Sequence, residues 1–215
     1  MTVNNIVRVF VVRHGQTDHN VQKILQGQLD TPMNSQGYAQ AELLGSRFIS
    51  TPINHFVTSD LCRCQETLEQ ITKHHTSPSI KITRNLRERN MGKVQGMYLK
   101  DAQAQYGPGF RNFGEGEESL CKRVETEFNE IINGNHQYVL ICTHGGVITR
   151  FFNHLFRDLN YQLADGLTEK DLRVPFNTSV SIVDYNRQTG KGIIQSFGNT
   201  SHLGGDFKVE DQLLR

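Results

Sequence analysis

Two hydrophobic patterns alternate along the chain. Short runs rich in β-branched residues, typical of buried strands, occupy residues 6–12, 56–58, 80–82, 138–142 and 180–183, with a further candidate at 192–197. Apolar positions spaced three and four apart, typical of amphipathic helices, occupy residues 35–50, 61–75, 118–132 and 147–156. Strands that alternate with helices predict a mostly parallel sheet covered by helices on both faces.

The last two predicted strands are separated only by residues 186–190, which is too short for a crossover helix. They should therefore form a hairpin and add an antiparallel strand at the edge of the sheet. We predict an α/β fold in which residues 1–215 form a single-domain three-layer αβα sandwich, with a mostly parallel sheet and an antiparallel edge strand. The sequence contains no internal repeat or linker that would indicate a second domain.

Residues 83–116 lack clear periodicity apart from a possible short helix at 99–105. We call these residues the cover segment. Many of the glycines of the chain lie there, at positions 92, 96, 107, 109, 114 and 116. An irregular excursion of this length in an α/β domain usually covers a functional site.

Charge and hydropathy narrow the range of partners. Lys and Arg total 23 and Asp and Glu total 22, a net charge of +1, which argues against nucleic-acid and other polyanion binding. The longest apolar runs are far shorter than the roughly 18 residues that a membrane-spanning helix needs. We therefore expect no nucleic-acid partner and no membrane association, and the sequence leaves the oligomeric state open.

The N-terminal residues and the cysteines indicate the compartment. The first residues have no basic segment and no small-residue cleavage site, and Arg8 and Arg13 interrupt their apolar run. Four cysteines in 215 residues form no dense disulfide framework and no CxxC pair. These features predict a cytoplasmic protein with reduced thiols, and they leave nuclear presence open.

Two predicted strands end in similar motifs. The first ends in Arg13-His14-Gly15, and a later one ends in Thr143-His144-Gly145-Gly146. A single His-Gly pair is often only a tight turn. Because ligands bind beyond the carboxyl ends of parallel strands, however, two such histidines can converge on one crevice. The second motif also opens a helix, whose backbone N–H groups favour an anion.

Arg63 lies in the first turn of a predicted helix that has Ser59 or Asp60 as its candidate N-cap. The helix dipole disfavours a cation at this end. A solvated arginine is therefore a weak explanation for Arg63, unless an anion binds beside it.

An ordered set of segments carries the chemistry-bearing residues. The segments are VVRHGQTDHN, LQGQLDTPMNSQG, SDLCRCQET, LRERNMGKVQG and THGGVI, followed by NTSVSIVDY and GNTSHLGG. In this order they resemble the histidine phosphatase superfamily, also called phosphoglycerate mutase-like, and most closely the fungal broad-specificity phosphatases near its fructose-bisphosphatase-like branch.

This resemblance implies a phosphohistidine mechanism. His14 matches the nucleophile, which must be neutral to attack, and Arg13 and Arg63 match the phosphate-binding arginines. His144 matches a second histidine that donates a hydrogen bond to the phosphoryl group beside the backbone of Gly145. The family implies neither a metal nor a cofactor.

Three further residues are assigned by the same resemblance. Glu88 matches the family's proton donor, although without the motif it would be interpreted as a surface carboxylate. Asn20 and Gly27 match positions that line the phosphate entrance, although Asn20 could equally cap a turn.

The resemblance implies a metal-independent phosphomonoesterase of broad specificity that acts on small phosphorylated metabolites. A phosphoglycerate mutase or a fructose 2,6-bisphosphate type of sugar bisphosphatase is the first alternative, and a non-catalytic phospholigand-binding protein is the second. Met91 stands where mutases usually have tyrosine, which favours the phosphatase. Arg89, Lys100 and Arg111 could contact a second phosphate or could be solvated loop charges. His202 matches a family segment whose role could be packing.

Overall fold

The computed structural model describes residues 5–210. One seven-stranded sheet has the strand order β3-β2-β4-β1-β6-β7-β5. Its strands are β1 (Ile6–Arg13), β2 (His55–Ser59), β3 (Ser79–Thr83), β4 (Tyr138–Thr143), β5 (Gln162–Leu163), β6 (Val180–Asn186) and β7 (Lys191–Asn199). The central strands β1 and β4 are parallel neighbours, so Arg13 lies beside Thr143 and the two His-Gly motifs leave the sheet together.

The α-helices are α1 (Asp18–Val21), α2 (Ser35–Arg47), α3 (Cys62–Thr72), α4 (Leu99–Tyr106), α5 (Glu117–Asn133) and α6 (Gly145–Arg157). The predicted long helices are all present, with ends displaced by no more than three residues. The largest displacement is at the C-terminal ends of α2 and α3, which end at Arg47 and Thr72.

Alternate residues of the central strands supply two hydrophobic cores. Val9 of β1 and Ile141 of β4 face a core built with α5 and α6. Phe10 and Leu140 face the opposite core, which is built with α2 and α3. Because strand side chains alternate between faces, these largely apolar strands are buried on both sides. The predicted three-layer αβα arrangement with a mostly parallel sheet is confirmed.

The position of the antiparallel strand differs from the prediction. The β6–β7 hairpin forms as expected, but its antiparallel member β6 lies inside the sheet, between β1 and β7. The edge is formed instead by β5, which pairs with β7 in parallel. A strand of only two residues has no periodicity, so the sequence pattern could not reveal it.

The cover segment is more ordered than its sequence pattern indicates. It contains α4 and the 3₁₀ helices Arg84–Leu86, Gly92–Val94 and Gly107–Asn112. A small core of its own holds these turns together, formed by Leu25, Met91, Val94, Leu99, Ala102 and Phe110. Within residues 5–210, no helix combines the length and apolar character that crossing a bilayer requires.

Candidate active site

His14 leaves the carboxyl end of the central strand β1 and is 2% exposed. Its Nδ1 lies 2.7 Å from the carbonyl oxygen of Gly15. A carbonyl oxygen only accepts hydrogen bonds, so Nδ1 carries the ring proton and the lone pair is on Nε2. In the neutral ring, this local hydrogen bond therefore selects the tautomer that a nucleophile attacking through Nε2 requires.

The turn that carries His14 is held by a segment 163 residues further along the chain. Asn177 donates from Nδ2 to the carbonyl oxygen of His14 at 2.9 Å, and the N–H of Thr178 donates to the carbonyl oxygen of Arg13 at 3.0 Å. Thr178 is fully buried and has a φ of 58°, a strained backbone for a β-branched residue. Strain at this position indicates that the surrounding contacts determine the conformation of the turn.

Both arginines predicted for the site are buried. Arg13 is 2% exposed and donates from Nη1 to the carbonyl oxygen of Pro175 at 2.7 Å. Arg63 is 1% exposed and donates from Nη1 to the carbonyl of Leu29 and from Nη2 to the carbonyl of Gly27. Burial lowers the pKa of the Arg63 guanidinium, yet arginine keeps its charge in proteins. The site therefore contains two positive charges that are held away from water.

His144 is the N-cap residue of α6 and is fully buried. Its Nδ1 accepts from Nε of Arg63 at 3.2 Å, which places the ring proton on Nε2, 2.9 Å from Oγ of Ser59. The rings of His14 and His144 lie with centroids 5.2 Å apart. Arg63 thus fixes His144 as a neutral ring with one N–H donor, directly beside His14.

Glu88 approaches the same place from the cover segment and is 2% exposed. Its Oε1 accepts from the N–H of Arg89 at 2.8 Å, and its Oε2 accepts from the N–H of Gly146 at 3.0 Å. A Cβ on Gly146 would lie only 2.5 Å from Oε1 of Glu88. The glycine therefore lets the carboxylate reach the N-terminus of α6.

The other three predicted binding residues lie around this cluster. Gly27 has a φ of 50°, which favours glycine, and it acts through its carbonyl oxygen on Arg63. Asn20 accepts the N–H of Thr17 on its Oδ1 in a capping box, and the same oxygen lies 3.3 Å from Nδ2 of Asn177. Gly145 is buried at the start of α6. Asn20 therefore caps a turn, as the sequence allowed, beside the segment that holds His14.

Comparisons with known proteins agree with this geometry. The family profile described as histidine phosphatase superfamily (branch 1) matches residues 9–199. The chain belongs to the histidine phosphatase superfamily.

One similar relative is a broad-specificity phosphatase of Saccharomyces cerevisiae, 41% identical over 99% of this chain and 94% of the relative. A metal-independent phosphoserine phosphatase of Arabidopsis thaliana is 26% identical over 93% of this chain and 84% of its own length. The solved phosphoglycerate mutase of Bacillus anthracis has a TM-score of 0.77 at 23% identity and covers 93% of this chain and 96% of its own. The protein is therefore an enzyme, a phosphatase of the histidine phosphatase type, and it has the phosphoglycerate mutase-like fold.

The expected cap of α3 is wrong for this histidine phosphatase. The N-cap is Leu61, and neither Ser59 nor Asp60 occupies that position. Ser59 instead faces His144, and Asp60 binds the guanidinium of Arg87 through both oxygens at 2.6 and 2.7 Å. The N–H of Cys62 is bound at 2.7 Å by Asp30, which lies far back in the sequence. Asp30 thus binds the first N–H of the helix, while Ser59 Oγ accepts the N–H of Leu61 at 3.3 Å and also faces His144.

The basic residues of the cover segment have different environments. Arg89 is not a solvated loop charge: it is 5% exposed and donates from Nη1 to the carbonyl oxygens of Phe113 and Glu115. Lys100 is exposed, with its Nζ 5.9 Å from the ring centroid of Tyr98. Arg111 lines a cavity beside α6.

His202 packs behind the turn that carries His14. Its Nε2 lies 3.3 Å from Oγ1 of Thr178, which itself donates to the carbonyl oxygen of Asn177. Burial and the neighbouring Arg47 lower the pKa of His202 to about 4. The family segment that contains His202 therefore supplies a neutral packing residue under the turn that carries His14.

Two residues that contact the His144 ring carried no sequence signal of their own. Ser59 receives the His144 N–H, and the buried thiol of Cys64 lies 3.5 Å from Nε2 of the same ring. The sequence also gave no sign that Asp30 binds the start of α3. All three contacts join segments that are far apart along the chain. Within residues 5–210, no three His, Cys, Asp or Glu side chains are grouped so that they could hold a metal ion.

Two cavities lie near the start of α6 and the end of β1. One, of about 230 Å³, opens against Arg13 and Asn20 and is bounded on its outer side by Lys208 and Glu210. The other, of about 480 Å³, lies along α6 and is lined by Arg111 and Arg150. Both are also lined by Val174, so they meet at that residue.

Proposed function

We propose that this enzyme is a metal-independent phosphomonoesterase that hydrolyses small phosphorylated metabolites with broad specificity through a phosphohistidine on His14. The observation that carries the proposal is the hydrogen bond from His14 Nδ1 to the Gly15 carbonyl, which leaves the lone pair of the neutral ring on Nε2, in a site that contains two buried arginines. A neutral imidazole in a site with fixed positive charge is suited to attack a phosphate dianion.

In the first step, Nε2 of His14 forms a bond to phosphorus as the P–O bond to the alcohol breaks. Arg13 and Arg63 bind the phosphoryl oxygens, and their planar guanidinium groups stabilise the charge that develops there. His144 donates from Nε2 to a phosphoryl oxygen in place of Ser59. Glu88 in its acid form gives a proton to the leaving oxygen.

In the second step, water attacks the phosphorus and the N–P bond breaks. The Glu88 carboxylate takes the proton from the water, and inorganic phosphate leaves. Glu88 is supported for both roles by its place at the start of α6, where the N–H of Gly146 holds its side chain. The N–H groups of Arg89 and Gly146 bind the carboxylate in the interval between the two steps.

The test is hydrolysis of p-nitrophenyl phosphate in the presence of EDTA by the wild type and by His14→Ala. We expect turnover by the wild type and none by the variant. Turnover that persists in His14→Ala, or wild-type turnover that needs added metal, contradicts the mechanism. With 3-phosphoglycerate as the substrate, both released phosphate and isomerised product are measured, which separates a phosphatase from a mutase. Isomerisation that is faster than phosphate release identifies a mutase.

The proposal also includes a single domain and a cytoplasmic location without a nucleic-acid partner. The single seven-stranded sheet and the four free cysteines support the first two parts. Urea unfolding followed by two spectroscopic probes should give one coincident transition, and cell fractionation should recover the protein with cytosolic markers. Two separate transitions, or recovery with membranes, contradict these parts.

A further inference from the structure

The peptide unit that joins Gly15 to Gln16 is bound at both ends. Its carbonyl oxygen, on Gly15, accepts from Nδ1 of His14 at 2.7 Å, and its N–H, on Gln16, donates to Oε1 of Gln40 at 3.1 Å. Gln40 lies on α2, 24 residues further along the chain, and is 4% exposed. Because a peptide unit is planar, the direction of its N–H also fixes the direction of its C=O. A side chain on α2 thus determines where the acceptor for the His14 ring lies.

The local backbone does not set this orientation by itself. Gly15 is packed so closely that a Cβ would lie 2.4 Å from Sδ of Met33 and 2.7 Å from the carbonyl oxygen of Gly37. The position therefore requires glycine, which restricts its own dihedral angles less than any other residue does. Contacts from outside the turn have to hold the peptide unit in place.

The close approach of α2 to this turn depends on a second glycine. A Cβ on Gly37 would lie 2.2 Å from the carbonyl oxygen of Gln16 and 2.8 Å from its nitrogen. Gly37 is helical and does not have a positive φ, so the space that it leaves, and not its backbone conformation, accounts for the glycine. Gly37 and Gln40 are three residues apart and share one face of the helix. This face of α2 is shaped to receive the Gln16 N–H.

The preceding peptide unit, between His14 and Gly15, is bound by other elements. Its carbonyl oxygen accepts from Nδ2 of Asn177 at 2.9 Å, and its N–H donates to Oγ1 of Thr67 on α3 at 2.9 Å. Neither of these contacts involves the carbonyl group that the His14 ring binds. The two units are therefore bound separately, and the unit that binds the ring is the one that Gln40 contacts.

We propose that Gln40 is a positioning residue of the reaction, which keeps the ring proton of His14 on Nδ1 by holding the Gly15–Gln16 peptide unit. This inference rests on the proposed function, because it explains how Nε2 is kept ready to attack. While Nδ1–H is bound to the carbonyl oxygen, the lone pair of the neutral ring stays on Nε2. If the peptide unit rotates, the ring loses this acceptor and its proton can exchange to Nε2. The nitrogen that attacks phosphorus is then blocked.

The test measures how fast p-nitrophenol is released in the first turnover of p-nitrophenyl phosphate, which equals the rate of phosphohistidine formation. Gln40→Met removes the acceptor oxygen at similar volume, and Gly37→Ala pushes the same peptide unit away from α2 while Gln40 remains. Each should slow this step by about tenfold, which corresponds to the loss of one hydrogen bond in the transition state. Gln40→Glu keeps an acceptor oxygen and should retain most of the rate. Gln36→Met makes the same substitution at an exposed residue of α2 and should match the wild type.

Two further measurements separate positioning from packing. The inhibition constant of inorganic phosphate should be unchanged in Gln40→Met, because Arg13 and Arg63 remain in place. In enzyme labelled with ¹⁵N-histidine, the His14 signals are those that disappear in His14→Ala. They should show the proton on Nδ1 in the wild type and a mixture of the two tautomers in Gln40→Met.

Four results overturn the inference. They are a proton on Nε2 of His14 in the wild type, first-turnover rates in Gln40→Met and Gly37→Ala that equal the wild-type rate, a rate in Gln40→Glu as low as in Gln40→Met, and an equal loss of phosphate affinity, which identifies a packing role. If Gln40→Met does not fold, the rates of Gly37→Ala and Gln40→Glu and the wild-type tautomer decide. Absence of phosphohistidine in the wild type instead contradicts the proposed function.

Discussion

Substituting Gly146 by alanine moves one proposed catalytic group without removing it. The added Cβ would lie 2.5 Å from Oε1 of Glu88, whereas ordinary contact begins at 3.4 Å, so the carboxylate has to move by about 0.9 Å. The backbone of Gly146 is helical and does not have a positive φ, so alanine fits the main chain. Alanine also has the higher helix propensity, by up to about 1 kcal/mol.

A displacement of about 1 Å in a reacting group lowers the rate by about 100-fold, or about 2.7 kcal/mol in activation free energy. We therefore expect Gly146→Ala to lose about two orders of magnitude in kcat/KM on an alkyl phosphate. Its free energy of unfolding in urea should fall by no more than about 1–2 kcal/mol, because the carboxylate can rotate towards the site.

Gly109→Ala is the matched control. A Cβ at Gly109 would meet nothing within 4 Å, and the residue does not have a positive φ. Its kcat/KM should remain within twofold of the wild type. If Gly146→Ala is folded and as active as Gly109→Ala, the position of Glu88 does not matter to the reaction and its assigned role is wrong.

Two further substitutions test the buried charges and the packing behind the turn. Arg63→Lys should lower kcat/KM by about 10²- to 10³-fold, because one ammonium group cannot replace the three guanidinium donors to Leu29, Gly27 and His144. Steady-state kinetics measures the loss, with Arg84→Lys, at a side chain that is 79% exposed, as the control variant. A loss of less than fivefold in Arg63→Lys refutes this role. His202 has a folded pKa of about 4 against an ordinary 6.5, so it is neutral in the fold and the free energy of unfolding falls as the pH drops through this window. Because His202 is partly exposed, we reduce the effect expected from its pKa shift to about 1–2 kcal/mol. Between pH 7 and pH 4.5, the free energy of unfolding in urea should therefore fall by about that much less in His202→Gln than in the wild type. An equal fall in both proteins contradicts the neutral state assigned to His202.

The sequence was most informative where regular patterns are long. The strands around Val9 and Leu140 and the helix that contains Phe128 were predicted because their apolar periods extend over many residues. The two-residue strand β5 and the internal place of β6 were not predicted, because pairing between strands depends on contacts that leave no local period.

The site residues likewise fall into those that the sequence pattern predicts and those that it does not. Arg13, His14 and His144 lie at strand ends and could be placed together from the sequence, since the parallel sheet brings such ends to one edge. Two other features could not be predicted from the sequence: the burial of Arg89 and the contact between Ser59 and His144. Both depend on the positions of carbonyl groups and rings in distant segments. Resemblance to the family supplied Glu88, which the residue pattern alone would have left as a surface carboxylate.

The central claim is that His14 carries the phosphoryl group on Nε2. Its most direct test is rapid acid-free quenching of the enzyme during turnover, followed by mass spectrometry and isomer-specific detection of phosphohistidine. Because Nδ1 is hydrogen-bonded to the carbonyl oxygen of Gly15, we predict phosphate on Nε2 of His14 in the wild type, and no phosphohistidine in His14→Ala. Phosphate on Nδ1, phosphate on His144, or turnover without any phosphohistidine would contradict the account.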